Sequence, residues 1–109
     1  MPTTYKVLGQ VAPSATTLTT LDTVPSATSA VVSTIAVCNR AATAATYRIA
    51  IRPAGAAISN EHYIAYDSTV AANDTTMLTI GITLAATDVI SVYASTANLS
   101  FNAFGSEIS

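Results

Sequence analysis

The sequence predicts an all-β, single-domain antiparallel β-sandwich of about eight strands, jelly-roll or Ig-like in type. Three observations carry this expectation. Valine, isoleucine and threonine recur in short runs with a period of two, the spacing that divides a strand into two faces. Pro13, Pro25, Pro53, Gly55, Asn73 and Asp88 punctuate those runs as turn residues do. No segment carries an apolar stripe at helical spacing. The alanine-rich stretch AATAA at 41–45 is too short to offset the cost of helix nucleation and reads as loop. Short strands at regular intervals are the signature of a sandwich or barrel.

In chain order, 5–12 reads as the first strand, with Tyr5 and Val7 on one face and Lys6 and Leu8 on the other. Pro13-Ser14 ends it. The next strand, 15–24, sets Thr16, Thr17, Thr19, Thr20 and Thr23 around Leu18, Leu21 and Val24, and β-branched density of this kind favours strand over helix. After the turn at Pro25-Ser26, the strand 31–38 is apolar on both faces: Val31, Ile35 and Val37 on one, Val32, Ala36 and Cys38 on the other. A strand with so little polar surface belongs in the middle of a packed structure, with Cys38 as a packing residue. The strand 46–52 alternates cleanly, Tyr47, Ile49 and Ile51 inward and Arg48, Ala50 and Arg52 outward. Together with loop 39–45, these two strands read as a central hairpin.

A linker at 56–60 leads to a strand at 61–67, whose faces are His62, Ile64, Tyr66 and Glu61, Tyr63, Ala65, Asp67. The longest alternation follows at 75–84, with Thr76, Leu78, Ile80, Ile82 and Leu84 opposing Thr75, Met77, Thr79, Gly81 and Thr83. Gly81 inside it predicts a bulge or a close backbone approach. The strand 89–95 places Ile90, Val92 and Ala94 against Val89, Ser91, Tyr93 and Ser95, and 99–104 presents Leu99, Phe101 and Ala103 on one face. Residues 105–109 read as a tail. Thr23-Val24 and Thr69-Val70 each precede a small-residue turn and a long strand, an echo that suits a double Greek key.

The 109 residues accommodate one domain, large enough to fold without metal or disulfide. Only 9% of them are charged, against roughly 25% in ordinary soluble domains. A surface so short of charge is a liability for a free monomer and fits one covered by other subunits. With a net charge of −2 and a single lysine, Lys6, nucleic acid is not the expected partner. Polar residues interrupt every apolar run, so no membrane-spanning helix is expected. Residues 1–12 lack the apolar segment of a secretory signal, and the acceptor patterns at Asn73 and Asn98 read as chance in a cytosol-made chain.

Catalytic constellations are missing from the sequence. Cys38 is the only cysteine and His62 the only histidine, which rules out an intrachain disulfide and a His/Cys metal cluster. A thiol within so apolar a strand is an inert hydrophobe rather than a nucleophile for His62. The acids are scattered, Asp74 and Asp88 at turns. No phosphate loop, nucleophile elbow or calcium loop is present. The expectation is a non-enzymatic protein with no cofactor and no metal. The candidate functional residues are Arg40, Arg48 and Arg52, three of the four basic residues. Arg48 and Arg52 lie about 13 Å apart along one strand face, with Arg40 in the loop before it. They read either as solvated cations or as a subunit interface, where arginine suits carboxylate partners better than lysine does.

The runs YKVLGQVAPSATTLTTL from Tyr5, TVPSATSAVVSTIAVCNRAATAATYRIAIRPAG, HYIAYD and VYASTANLSFNAFGSEIS together resemble small virion structural proteins of tailed bacteriophages, especially of phages infecting cyanobacteria. The resemblance implies a β-sandwich subunit assembled in the bacterial cytoplasm and incorporated into the virion. It implies a capsid decoration or cement protein that binds major capsid subunits, or else a neck, tail or fibre accessory subunit with a host-receptor or glycan-binding role. Association with itself as a closed homotrimer fits the sites of an icosahedral shell. The resemblance carries no functional residues.

Overall fold

The computed structural model describes residues 2–109. Nine strands are formed: β1 (Thr3–Val11), β2 (Thr19–Thr23), β3 (Ser29–Asn39), β4 (Ala45–Arg52), β5 (Tyr63–Val70), β6 (Thr75–Leu78), β7 (Ile82–Leu84), β8 (Val89–Ala94) and β9 (Leu99–Ile108). Two short 3-10 turns, Pro53–Gly55 and Asn60–His62, lie between β4 and β5. One antiparallel sheet runs β1-β9-β3-β6, with β7 also paired to β3; the other runs β2-β8-β4-β5. Apart from β4–β5 and the consecutive β6 and β7, each strand is followed by one in the opposite sheet. That connectivity makes the sandwich a jelly roll rather than an Ig-like fold, whose hairpins stay within one sheet.

Burial explains why the sheets close on each other. Ile35, Val37, Phe101 and Ala103 of the first sheet meet Ile49, Ile90, Val92 and Ala94 of the second, all 0% exposed. The Tyr47 and Phe101 rings meet edge to face across the interior at 6.2 Å, the geometry aromatic quadrupoles prefer. The expected alternation of β4, β8 and β9 is realised here.

Four expectations are corrected. First, 31–38 and 46–52 do not form a hairpin, because β3 and β4 belong to different sheets. Second, β3 is not buried on both faces. A bulge between Val32 and Thr34 changes which residues face inward, from Ala30 and Val32 before it to Ile35 and Val37 after it. Val31, Ala36 and Cys38 point outward and are half-buried, so Cys38 is a surface-facing residue and not a core one. Third, the long strand at 75–84 is interrupted at Gly81, whose φ of 61° splits it into β6 and β7 and leaves Ile80 49% exposed. Fourth, 105–109 is no free tail: β9 continues to Ile108, paired with β1 on one side and β3 on the other.

Two polar side chains are buried, Ser91 of β8, whose hydroxyl has no partner, and Asn39. Asn39 is 1% exposed and ends β3. Its Nδ2 donates to the Thr43 carbonyl at 2.8 Å and the Ala71 carbonyl at 3.2 Å, with Val70 O at 3.4 Å, and its Oδ1 accepts from Ala41 N at 3.0 Å. Loop 40–44 is thereby tied to the turn after β5.

Charge collects at the mouth between β1 and β2. Lys6 Nζ donates to Glu107 Oε1 at 3.1 Å, and Asp22 lies beside them with one carboxylate oxygen buried and unpartnered. Desolvation, then Glu107, push the Asp22 carboxyl above its ordinary range against the opposing pull of Lys6. A raised folded-state value means that the folded chain holds this proton more tightly, so stability falls as pH rises above the unfolded value near 3.8. Asp22→Asn is therefore expected to raise the melting temperature at neutral pH, with the gain vanishing below about pH 3. Thermal melts of both proteins across pH check this.

Candidate functional site

β4 and β8 run side by side with Arg48 opposite Tyr93 and Arg52 opposite Val89. The alternation of β4 keeps Arg48 and Arg52 out of the core, as expected, but Ala50, expected on the same open face, is 0% exposed. On the other side of β4 the β5 ladder is irregular: Tyr47 pairs with Ser68 and Ile49 with Ala65, leaving Tyr66 and Asp67 together opposite Arg48. Asp67 has φ 51°, a left-handed conformation costly for a non-glycine residue. Bulges of this kind re-aim side chains, and here both bulged residues reach the same arginine.

The guanidinium of Arg48 is held on three sides. Asp67 accepts from Nε at 2.7 Å and from Nη2 at 3.3 Å, a two-point carboxylate contact. The rings of Tyr66 and Tyr93 lie 4.1 and 4.3 Å from the guanidinium carbon, within cation–π range of both. Tyr63 meets Tyr66 edge to face at 5.0 Å. The hydrogen bond with Asp67 raises the Arg48 pKa and lowers the carboxyl of Asp67, so both stay charged at neutral pH. Tyr66 is 57% exposed and Ile64, on the same side of the strand, 47%, because Ala65 takes the inward position opposite buried Ile49.

The three candidate arginines do not form one patch. Arg52 donates from Nη2 to Gly55 O at 3.2 Å, while its buried Nε has no partner. This side chain anchors the Pro53–Gly55 turn, which packs against β8. Arg40 is exposed and donates to Ala97 O at 3.1 Å, joining two loops. Arg48 alone is built into a polar and aromatic cluster. Tyr66, Tyr93 and Asp67 were not legible as its partners, since their convergence depends on a bulge and on a strand remote in sequence.

Elsewhere the chemistry is sparse. His62 Nδ1 accepts from Ser59 N at 3.2 Å and caps a 3-10 turn, and Glu61 stands 4.0 Å from its Nε2. Asp88 accepts from Ala54 N and Ala85 N, both at 2.9 Å, the turn role expected of it. Among the described residues there is no group of three His, Cys, Asp or Glu side chains that could hold a metal. A shallow hollow of about 280 Å³ at Gln10, Val11, Ala12, Ser100, Phe101 and Asn102 carries no ionisable side chain. No protein-family model, curated protein or solved structure matches this chain.

Proposed function

We propose that this chain is a non-enzymatic structural subunit of a tailed-phage virion, a decoration protein that stabilises the capsid by binding major capsid subunits. The observation that carries the reading is the preorganised Arg48 patch. Arginine and tyrosine are enriched at the energetic centres of protein interfaces, and a guanidinium already fixed by Asp67, Tyr66 and Tyr93 loses little conformational freedom on docking. The rigid jelly roll with sparse charge suits a subunit packed into a lattice.

Reconstitution on particles lacking the protein tests the proposal. Wild-type chain is expected to saturate at hundreds of copies per particle and to raise the temperature at which the shell ruptures. Arg48→Ala is expected to weaken attachment about 30-fold or more, the scale of an interface hot spot, while the isolated domain melts almost unchanged, as exposed ion pairs add little. Saturation at a handful of copies would sink the shell role. That outcome would favour a neck, tail or fibre subunit with a receptor- or glycan-binding role, a reading supported by the exposure of Tyr66 beside Tyr63. Glycan binding by the isolated domain, lost in Tyr66→Ala, would establish it.

A further inference from the structure

The fold leaves the outer face of the β1-β9-β3-β6 sheet without a covering layer. Strand register places Tyr5, Val7, Phe104, Val31, Ala36 and Met77 on it, alongside Thr, Ser, Asn and Gln. Tyr5 is 85% exposed, Met77 60% and Val7 46%. Among the described residues no charged side chain belongs to this face. Lys6 and Glu107, the only charged residues within its strands, pair with the positions of buried Val32 and Ala30 and so point to the other side. The second sheet, by contrast, presents Arg48 and Asp67 outward.

We infer that this face binds a second copy of the same chain, face to face about a two-fold axis. An uncharged face offers nothing to a charged partner and meets no repulsion from itself. Its extent is sufficient: four strand positions about 4.8 Å apart and strands of about ten residues at about 3.3 Å each span roughly 600 Å² in projection. Side-chain relief brings that toward the roughly 800 Å² per partner of a stable interface. Tyr5 on edge strand β1 and Met77 on the opposite edge strand β6 stand out at diagonally opposed corners, with half-buried Phe104 near the middle of the face among smaller Ala36, Thr34 and Ser106. A two-fold that exchanges those corners sets each tyrosine ring against the other copy's thioether, a favourable sulfur–aromatic contact. One patch meeting itself generates a dimer, not a ring of three. The Arg48 patch, on the other sheet, stays free in that dimer.

Analytical ultracentrifugation with far-UV circular dichroism tests this, independently of any virion role. The wild-type chain is expected at twice its 11.1 kDa mass at about 100 µM, a concentration at which a micromolar interface is almost fully occupied. Ala36→Lys and Ala36→Glu each place a buried charge on the face and are both expected to be folded monomers. Val7→Lys, on an exposed edge strand where the fold does not depend on the side chain, gives a second monomer. Thr20→Lys, on the other sheet's outer face, leaves the dimer intact. A monomeric or trimeric wild-type chain, or a dimer that survives Ala36→Lys and Val7→Lys, overturns the inference.

Discussion

Gly105→Ala is expected to cost about 3 kcal/mol or more and to leave the domain on the edge of unfolding at 37 °C. A Cβ at this position falls 1.9 Å from the Val31 carbonyl oxygen, 2.9 Å from its carbon and 3.0 Å from the Val32 Cα. All three are backbone atoms, so no rotamer change relieves the clash. β9 must separate from β3 beside the Val32–Thr34 bulge, in the pair that forms the middle of the first sheet. Overpacking of a native interior costs about 1–3 kcal/mol, and each ladder hydrogen bond lost in the separation adds about 1 kcal/mol. Set against the roughly 5–15 kcal/mol stability of a domain, this is a large fraction. It corresponds to a fall of about 12 °C or more in melting temperature.

Gly81→Ala is the matched control. Its φ is 61°, but nothing lies within 4 Å of an added Cβ, so the cost is confined to about 1–2 kcal/mol of left-handed backbone strain. Urea unfolding of the two variants separates the effects. Equal losses would show that close backbone approach is not what glycine provides at position 105.

These two glycines mark where the sequence was readable and where it was not. The alternation of Leu99, Phe101 and Ala103, of Ile90, Val92 and Ala94, and of Tyr47 and Ile49 specified buried faces correctly, because one side of each strand meets the opposite sheet over its length. Reading failed wherever the pairing partner sets the geometry. The bulges at Ser33 and at Tyr66–Asp67 are answers to β9 and β4, strands distant in sequence, and each changed which side chains face out. That is why Asp67 arrived on Arg48 and Cys38 on the surface. Gly81 signalled an irregularity in its own strand, whereas Gly105 gave no signal, its role being visible only once Val31 lies across from it. The candidate site was legible to the extent of one arginine; its three partners came from the fold.

Asn39 is a second case in which one side chain outweighs its surroundings. Asn39→Ala is expected to destabilise the domain by about 2–3 kcal/mol, since it strands buried carbonyls and an N–H whose desolvation costs about 1–3 kcal/mol. The melting temperature should fall by about 8–20 °C. Asn39→Asp separates hydrogen bonding from packing. It preserves size but turns the donor facing the Thr43 and Ala71 carbonyls into a carboxylate oxygen. Ionised, that group repels the carbonyls it replaces a bond to, so its folded-state pKa is raised above the ordinary aspartate value. Stability is then lost as pH rises through the window above about pH 4 and regained below it, because the protonated acid can donate one hydrogen bond. Thermal melts at acid and neutral pH should show the Asn39→Asp deficit shrinking in acid while the Asn39→Ala deficit, measured against wild type at each pH, does not. Parallel behaviour of the two variants would mean that the residue acts by filling space at the end of β3 and not by tying loop 40–44 to the turn after β5.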